Sequence, residues 1–317
     1  IYKPILNKDF IDVITDIRND TLDVLIIPDP LTDIYTYCIG LYRIAPIQIT
    51  TWGHPDTSGS PNIDYYITSE LFEKNIDNIY YEKPILMKSL SFYYYDLLNT
   101  YNFNPVEMFK NIPRQDLLKD LNINIPTDAH VYGVLSTMYK VHPSFDCIIN
   151  ALLHYDKKAY IFFIRGVHEE LFQRVVQRLN MIINNENLNR IVIVPYQTQP
   201  YSYEKIILSC DVILDTFPFG GCITSFDAFS CNKCVITLPG NKLYGRFTQG
   251  LYKKMGFTDL IAKDEDSYAE LAHNIATYPP IRRSFENKIA INKHKIYEDK
   301  ESIIEWYNFI KTKCLNI

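Results

Sequence analysis

The sequence has few glycines, few tryptophans and no hydrophobic run long enough to cross a membrane. Its 317 residues include only 11 glycines and 2 tryptophans. No apolar stretch approaches the ~20 residues that a transmembrane helix needs. Basic residues are also in deficit, because 32 Lys and Arg stand against 37 Asp and Glu, for a net charge of −5. This balance argues against nucleic acid as a partner, and the hydropathy argues against a membrane protein.

The 7 cysteines do not suggest a disulfide framework. They are odd in number and scattered along the chain, and no signal peptide opens the sequence, so we expect a reducing, cytoplasmic location. Cys231 and Cys234 form a CxxC pair, which without a second pair is a weak metal signal. We favour a structural role for these two cysteines and predict no metal site.

What the chain does contain is an alternation of short apolar segments with helical ones. A hydrophobic content of 47% suits a folded protein, and this length suggests roughly two domains. Alternation of this kind is typical of parallel, doubly wound sheets. The predicted strands are Val24–Ile27, Ile47–Trp52, Tyr65–Thr68, Ile85–Leu90, His130–Leu135, Tyr160–Arg165, Arg190–Pro195, Val212–Leu214 and Val235–Leu238. The predicted helices are Ser144–His154, Glu169–Met181, Tyr203–Ser209, Phe226–Ser230, Arg246–Met255 and a mostly helical tail from Ser267.

We therefore predict an α/β protein of two Rossmann-like lobes with a cleft between them. Residues 1–105 would form the N-terminal, acceptor-side lobe, residues 106–290 a nucleotide-binding lobe, and residues 291–317 a C-terminal helix. The Tyr- and Asn-rich stretch Tyr93–Pro113 has no clear periodicity and is the candidate linker.

The segment after Val212–Leu214 has the features of a phosphate site. The apolar run ends in Asp215, a loop with Gly220 and Gly221 follows, and Thr224-Ser225 open a helical run. The free N–H groups and the dipole at such a helix start both attract an anion. The next strand ends in a second turn, Pro239-Gly240, so the two loops together indicate a nucleotide crevice at the carboxyl edge of a parallel sheet.

Three segments resemble the O-GlcNAc transferase family. They are LYRIAPIQITTWGHPDTSGSPNIDYYIT (Leu41–Thr68), VLSTMYKVHPSF (Val134–Phe145), and LDTFPFGGCITSFDAF from Leu214 with VITLPG and GRFTQGLYKKMG after it. The match runs from about Asp23 to the C-terminus, and its motifs come in the family's order. This family, which includes SPINDLY-type enzymes and bacterial N-glucosyltransferases, has a two-lobed GT-B fold. The resemblance implies metal-independent, inverting transfer of GlcNAc or another hexose from a nucleotide sugar to protein, and we expect the donor to be UDP-linked.

The resemblance also implies donor-binding residues in the second lobe. Lys140 matches the lysine that contacts the diphosphate, and a solvated loop lysine is the alternative. The donors at the helix start would come from Gly221, Cys222, Ile223, Thr224 and Ser225. Thr224 and Ser225 also fit a plain helix cap. Where well-known relatives have His-Thr-Thr, this chain has Cys222-Ile223-Thr224, which leaves more of the binding to backbone N–H groups.

Three further residues match positions near the nucleotide. Asp227 matches the acidic residue that faces the ribose, and a first-turn Asp favoured by the helix dipole is an equal alternative. Tyr203 aligns with a ring that stacks on the base, although we favour packing. Arg246 either neutralises phosphate charge or forms a salt bridge to its helix.

In the first lobe, His54 lies in a loop with Asp56, Thr57 and Ser58 that should face the cleft. The imidazole suits a proton shuttle, and orienting donor or acceptor is the alternative. Asp29 resembles an Asp of a bacterial branch of the family and could orient the acceptor or receive its proton. His54, Asp29 and Lys140 are therefore the candidate catalytic residues.

The start of the chain leaves its extent open. The family's first lobe begins upstream of anything matched here, so we expect either a piece of a longer enzyme or a reduced lobe. Two competing hypotheses remain beside a transferase: a catalytically silent relative that binds nucleotide or a partner protein, and, more weakly, an epimerase of similar two-lobed fold.

Overall fold

The computed structural model describes residues 4, 8–76, 79–96, 104–119, 121–199 and 201–314. It divides into two compact units, Ile1–Tyr93 with Asp299–Ile317, and Tyr94–Glu298. We call them unit 1 and unit 2. Residues 97–103 of the predicted linker lie outside the described residues.

Unit 1 is built on a parallel sheet of four strands in the order β1-β2-β3-β4. Alternate side chains point to opposite faces of such a sheet. One face packs Ile49, Ile67 and Met87 against the C-terminal helix, and the other packs Ile27 against two N-terminal helices. The elements of unit 1 are β1 Val24–Ile27, β2 Ile47–Thr51, β3 Tyr65–Ser69, β4 Lys83–Met87, α1 Phe10–Asn19, α2 Ile34–Gly40 and α13 Lys300–Phe309.

Unit 2 contains a parallel sheet of five strands in the order β7-β6-β5-β8-β9. The strands are β5 His130–Val134, β6 Ala159–Ile164, β7 Ile191–Val194, β8 Val212–Leu214 and β9 Val235–Ile236. The helices are α3 Pro105–Met108, α4 Arg114–Lys119, α5 Pro143–Tyr155, α6 Glu169–Ile182, α7 Asn185–Leu188, α8 Ser202–Ser209, α9 Ile223–Ser230, α10 Phe247–Met255, α11 Glu265–Thr277 and α12 Pro279–Asn292.

The strand order of unit 2 decides where a ligand fits. The chain moves outward from β5 through β6 to β7, then returns to the other side of β5 to place β8 and β9. The order therefore reverses between β5 and β8. In open α/β sheets, ligands bind outside the carboxyl ends of the strands at this switch point. The segments that follow β5 and β8 are those that carry Lys140 and the glycine loop.

The predicted α/β alternation and its parallel sheets are confirmed, with most strand ends within two residues. The fourth strand was predicted at Ile85–Leu90, but it starts at Lys83 and ends at Met87. The N–H groups of Lys88 and Ser89 bind the Glu305 carboxylate of α13, both at 2.9 Å, instead of a neighbouring strand. The sequence reading also missed α1 and α2.

Candidate functional site

The glycine loop of unit 2 connects β8 to α9 and leaves the helix start open. Cys222 is the N-cap residue of α9, and it makes no side-chain cap hydrogen bond. Its carbonyl accepts from the N–H groups of Ser225 and Phe226, at 3.0 and 3.2 Å. The N–H groups of the first helical residues have no carbonyl partner within a helix. At Ile223 and Thr224 these groups are available to an anion.

Gly221 cannot be replaced without moving this helix start. A Cβ there would collide with Oγ1 of Thr224 and would lie 2.9 Å from Oγ of Ser225 and 3.2 Å from Oδ1 of Asp215. Close approach of backbone and hydroxyls therefore requires glycine here.

Lys140 reaches the glycine loop from the neighbouring strand. It ends the single 3₁₀ turn Met138–Lys140 after β5, and its Nζ donates to the carbonyl oxygen of Gly220 at 3.0 Å. The ammonium also lies 4.5 Å from the centre of the Phe219 ring. The two features that the sequence assigned to a diphosphate, the ammonium and the amide-rich helix start, therefore lie at one place in unit 2.

The side chains at the start of α9 differ in how available they are to an anion. Ser225 is buried, and its Oγ is paired with Oγ1 of Thr248 at 2.7 Å. Burial raises the pKa of the Cys222 thiol to about 12, so the thiol is neutral at physiological pH. Ile223 is exposed. An anion in this loop would be bound mainly by backbone N–H groups, with Thr224 as the nearest partly exposed hydroxyl.

Asp227 lies on α9 in largely buried surroundings. Burial raises the pKa of Asp227 to about 7, and the nearby Glu204 carboxylate adds to the rise. The Asp227 charge in turn contributes to the raised pKa values of Tyr94 and Tyr203, where burial is the main cause. The carboxyl group therefore changes charge near neutral pH, next to two aromatic rings.

Tyr203 and Arg246 are both engaged in packing contacts. The Tyr203 hydroxyl donates to the carbonyl oxygen of Leu135, just past β5, at 3.2 Å. Arg246 is 2% exposed, and its guanidinium donates to the carbonyl oxygens of Asn241 and Lys242, at 2.6 and 3.2 Å. These contacts favour the packing alternative for Tyr203 and give Arg246 a role in bracing its own loop. Their roles toward a nucleotide stay predictions.

In unit 1, Asp29 and His54 lie on two loops that touch. The Gly53 N–H donates to the carbonyl oxygen of Pro28 at 3.1 Å, and a Cβ on Gly53 would collide with that oxygen. The loops after β1 and β2 thus meet at the carboxyl edge of the sheet. The Asp29 carboxylate accepts from the N–H of Thr32 at 3.3 Å and also from its hydroxyl. Among the described residues, none hydrogen-bonds the buried Nδ1 of His54.

A buried carboxylate that sequence reasoning missed holds the loop after His54. Glu82 is 3% exposed. It accepts from the hydroxyl of Thr57 at 2.6 Å, from the N–H of Ser58 at 2.8 Å and from the hydroxyl of Ser58. The hydroxyls of Thr57 and Ser58 therefore hold the loop in place by donating to Glu82. Glu82 lies 24 residues from Ser58 and belongs to no recognised motif, so no local pattern could have indicated it.

Neither the CxxC pair nor an Asp-x-Asp triplet forms a metal cluster in the described part of the chain. Cys231 and Cys234 are buried as free thiols, in line with the structural role that we favoured. Asp264 of the Asp264-Glu265-Asp266 triplet is the N-cap of α11, accepting from the Ser267 N–H at 2.8 Å. No set of three His, Cys, Asp or Glu side chains among the described residues is arranged to hold a metal ion. None of the described helices is long and apolar enough to span a membrane.

Two curated relatives match most of this chain but little of their own length. A probable SPINDLY protein of Petunia hybrida, described as a UDP-N-acetylglucosamine–peptide N-acetylglucosaminyltransferase, is 24% identical over 284 residues. The match covers 87% of this chain and 28% of that protein. The UDP-glucose:protein N-beta-glucosyltransferase of Actinobacillus pleuropneumoniae is 23% identical over 238 residues, covering 74% of this chain and 35% of the relative. The chain thus spans about a third or less of these relatives.

Solved structures carry the same fold. An O-GlcNAc transferase variant from Thermobaculum terrenum aligns with a TM-score of 0.76 at 17% identity, covering 99% of this chain and 58% of that one. HepE of Anabaena, in complex with UDP and glucose, aligns with a TM-score of 0.59 at 10% identity, covering 95% of this chain and 80% of HepE. The prediction of a GT-B type α/β fold is confirmed. The family model for glycosyl transferase family 41 matches residues 99–301, which include all of the unit 2 sheet, and the chain therefore belongs to glycosyl transferase family 41.

Proposed function

We propose that the protein transfers a sugar from a nucleotide sugar to a protein acceptor. The SPINDLY protein and the N-beta-glucosyltransferase compared above are described as acting on peptide or protein with UDP-linked sugars, and HepE was solved with UDP and glucose. We infer from them that the donor is a UDP-sugar carrying GlcNAc or another hexose. The cytoplasmic location stays a prediction from cysteine usage.

One observation carries this proposal: the Lys140 ammonium and the open start of α9 meet at the switch point of the unit 2 sheet. When the glycosidic bond breaks, negative charge collects on the departing diphosphate. Preorganised donors aimed at developing charge are usually the largest single catalytic contribution. A cation and several N–H groups converging on one point are suited to a diphosphate and less suited to a neutral ligand.

Each remaining site residue receives a role in the same proposal. Lys140 and the backbone at Gly221–Ser225 bind the diphosphate. Asp227 accepts from the ribose hydroxyls and Tyr203 packs near the base. Arg246 supports this pocket by holding the loop after β9.

The acceptor side of the reaction is assigned to unit 1. Asp29 orients the acceptor or receives its proton. No residue in the described ranges hydrogen-bonds Nδ1 of His54, which fits a proton acceptor or an orienting group. We propose inverting chemistry from the family resemblance. We also propose that the Lys140 ammonium and the helix start neutralise the leaving group without a metal ion.

The proposal is tested with the full-length protein and a matched pair of lysine variants. Lys140→Ala removes the ammonium, whereas Lys157→Ala removes an exposed lysine of the same unit. Titration with UDP, GDP and their sugars by calorimetry and thermal shift identifies the donor, because a ligand at 100 times its Kd stabilises by about 2.7 kcal/mol. Transfer to protein and donor hydrolysis are followed with a labelled sugar.

We expect UDP-sugar binding and turnover in the wild type. Lys140→Ala should lower turnover by about 10²- to 10³-fold, while Lys157→Ala keeps it. A preference for GDP would move the assignment to a fucosyl donor. Nucleotide binding without hydrolysis or transfer from any donor would instead support a silent binding protein. Full activity in a folded Lys140→Ala variant would refute the role of the ammonium.

A further inference from the structure

Asp215 is a buried carboxylate at the point where β8 ends and the glycine loop begins. It is 5% exposed. Its backbone is fixed on both sides, since its N–H donates to Ile236 at 2.9 Å and its carbonyl accepts from the Tyr268 hydroxyl at 2.9 Å. The rigid backbone directs the side chain into the loop. Burial of an unpaired charge is costly, so a carboxylate kept here needs strong partners.

The Asp215 carboxylate accepts hydrogen bonds from several of the segments that surround the start of α9. Oδ1 accepts from the Gly221 N–H at 2.5 Å, and Oδ2 accepts from the Thr237 hydroxyl at 2.8 Å. Burial raises the pKa of Asp215, and the hydrogen bonds from the Thr248 hydroxyl (itself paired with Ser225), the Gly221 N–H and the Thr237 hydroxyl oppose that rise. One side chain therefore joins the glycine loop, the end of β9 and the helix α10.

The link from Asp215 to Lys140 passes through a single peptide group. The Gly221 N–H bound by Asp215 and the Gly220 carbonyl bound by Lys140 belong to the same amide. Hydrogen bonds at both ends of one amide polarise it, and each strengthens the other. The Gly220 N–H, donated to the Tyr244 carbonyl at 2.9 Å, fixes the preceding peptide as well.

We propose that Asp215 is a positioning residue for Lys140, acting through the Gly220–Gly221 peptide to hold the ammonium beside the open start of α9. This proposal rests on the function proposed above and names the residue that maintains its central contact. A neutral amide at position 215 is a weaker acceptor for the Gly221 N–H than the carboxylate, so the peptide is held less firmly and the ammonium bound to its carbonyl loses its fixed position. Misplacement by about 1 Å of a group that binds the reacting centre costs about 10²-fold in rate.

The test is a double-mutant cycle in the full-length protein, because it separates positioning from general support of the fold. Asp215→Asn is made in the wild type and in the Lys140→Ala background, and kcat for transfer and the Kd of UDP are measured for all forms. Asp211→Asn is the matched control. Asp211 is a buried acid at the opposite end of β8, bound by Arg114 and Arg282 at 2.6 and 3.1 Å.

If Asp215 positions Lys140, the effects of the Asp215 and Lys140 substitutions on kcat should be strongly non-additive. Asp215→Asn should lower kcat about 10- to 100-fold in the wild type and cause little further loss once Lys140 is absent. Asp211→Asn should give the same factor in both backgrounds. If Asp215→Asn fails to fold, Thr237→Val, which removes one donor to the carboxylate, should show a smaller loss with the same dependence on Lys140.

The outcomes distinguish this proposal from the one on which it rests. Equal factors for Asp215→Asn or Thr237→Val in both backgrounds would overturn positioning and leave the transferase assignment intact. A folded Asp215→Asn protein with unchanged kcat would do the same. If the wild type transfers no sugar but binds UDP, the cycle is read from Kd values. A wild type that neither transfers sugar nor binds UDP would overturn both proposals.

Discussion

Replacing Asp227 with Asn should make the protein more stable and a poorer binder of nucleotide. Burial raises the pKa of Asp227 from the ordinary 3.8 to about 7 in the folded protein. The unfolded chain releases this proton near pH 4, whereas the folded chain keeps it until about pH 7. The folded state is therefore progressively penalised as pH rises from about 4 to 7, and the penalty is complete above pH 7.

The size of the penalty follows from the shift. A rise of about three pKa units at about 1.4 kcal/mol per unit gives up to about 4 kcal/mol at pH 8. Asn is neutral and of similar volume, so it avoids the cost of burying a charge at every pH. The gain in the free energy of unfolding on Asp227→Asn should be near zero at pH 4 and largest at pH 8.

Urea unfolding followed by circular dichroism at pH 5, 6.5 and 8 measures this difference. Both tryptophans of the chain, Trp52 and Trp306, belong to unit 1, so their fluorescence does not report on the unit that contains Asp227. Asp259→Asn is the control, because the pKa of Asp259 is shifted in the opposite direction to that of Asp227. A hydrogen bond from Lys288 lowers the pKa of Asp259, and its removal should give no gain at pH 8. A stability difference that does not change with pH would refute the argument.

Asp227→Asn should weaken nucleotide binding, although it raises the free energy of unfolding. A charged Asp227 accepts hydrogen bonds from ribose hydroxyls better than a neutral one, so wild-type affinity for UDP should increase as pH rises through about 7. Asp227→Asn should bind UDP about 10-fold or more weakly, the loss of a hydrogen bond to a charged group. Opposite effects of one substitution on stability and on binding are the signature of a functional site.

Two other substitutions test the local geometry. Gly221→Ala should weaken UDP binding by about 1–3 kcal/mol in calorimetry, because the new methyl group displaces the Thr224 hydroxyl. Gly166→Ala is the control, since a Cβ there meets no atom within 4 Å. Equal UDP affinities of the two variants would contradict the prediction. Glu82→Gln should lower the free energy of unfolding of unit 1 by about 1–3 kcal/mol, measured by tryptophan fluorescence in urea, because the amide has one acceptor oxygen where three donors need two. Glu70→Gln, at an exposed position, should have no such effect. Equal losses of unfolding free energy in the two variants would contradict the role of Glu82 in holding the loop.

The parallel sheets, and the meeting of Lys140 with the glycine loop, could be predicted from the sequence for a physical reason. Buried parallel strands are short apolar runs, and the carboxyl ends of neighbouring strands meet at one edge. Lys140 and Gly221 could therefore be assigned to one site before any coordinates were known. The strand order that makes β5 and β8 neighbours was not readable in this way, because it depends on long-range packing.

Contacts between distant segments account for what could not be predicted. Glu82 and Ser58 are 24 residues apart, and nothing in either local pattern indicates that one holds the other. The same applies to α13, whose Glu305 caps the end of β4 more than two hundred residues away. Helices α1 and α2 were missed because both are short, with 10 and 7 residues, and tertiary packing of Ile14 and Ile39 supplies most of their stability.

The loop around Gly221 offers a proposed anion site few polar side chains. Where well-known relatives carry His-Thr-Thr, the thiol of Cys222 is neutral and Ile223 points into solvent. The hydroxyl of Ser225 is committed to Thr248. The remaining donors are the Thr224 hydroxyl, the backbone N–H groups, which only a change to proline removes, and the Lys140 ammonium. We therefore expect anion binding to depend mainly on Lys140 and on the residue proposed to hold it in place, and for this reason Asp215 would matter beyond its contribution to the fold.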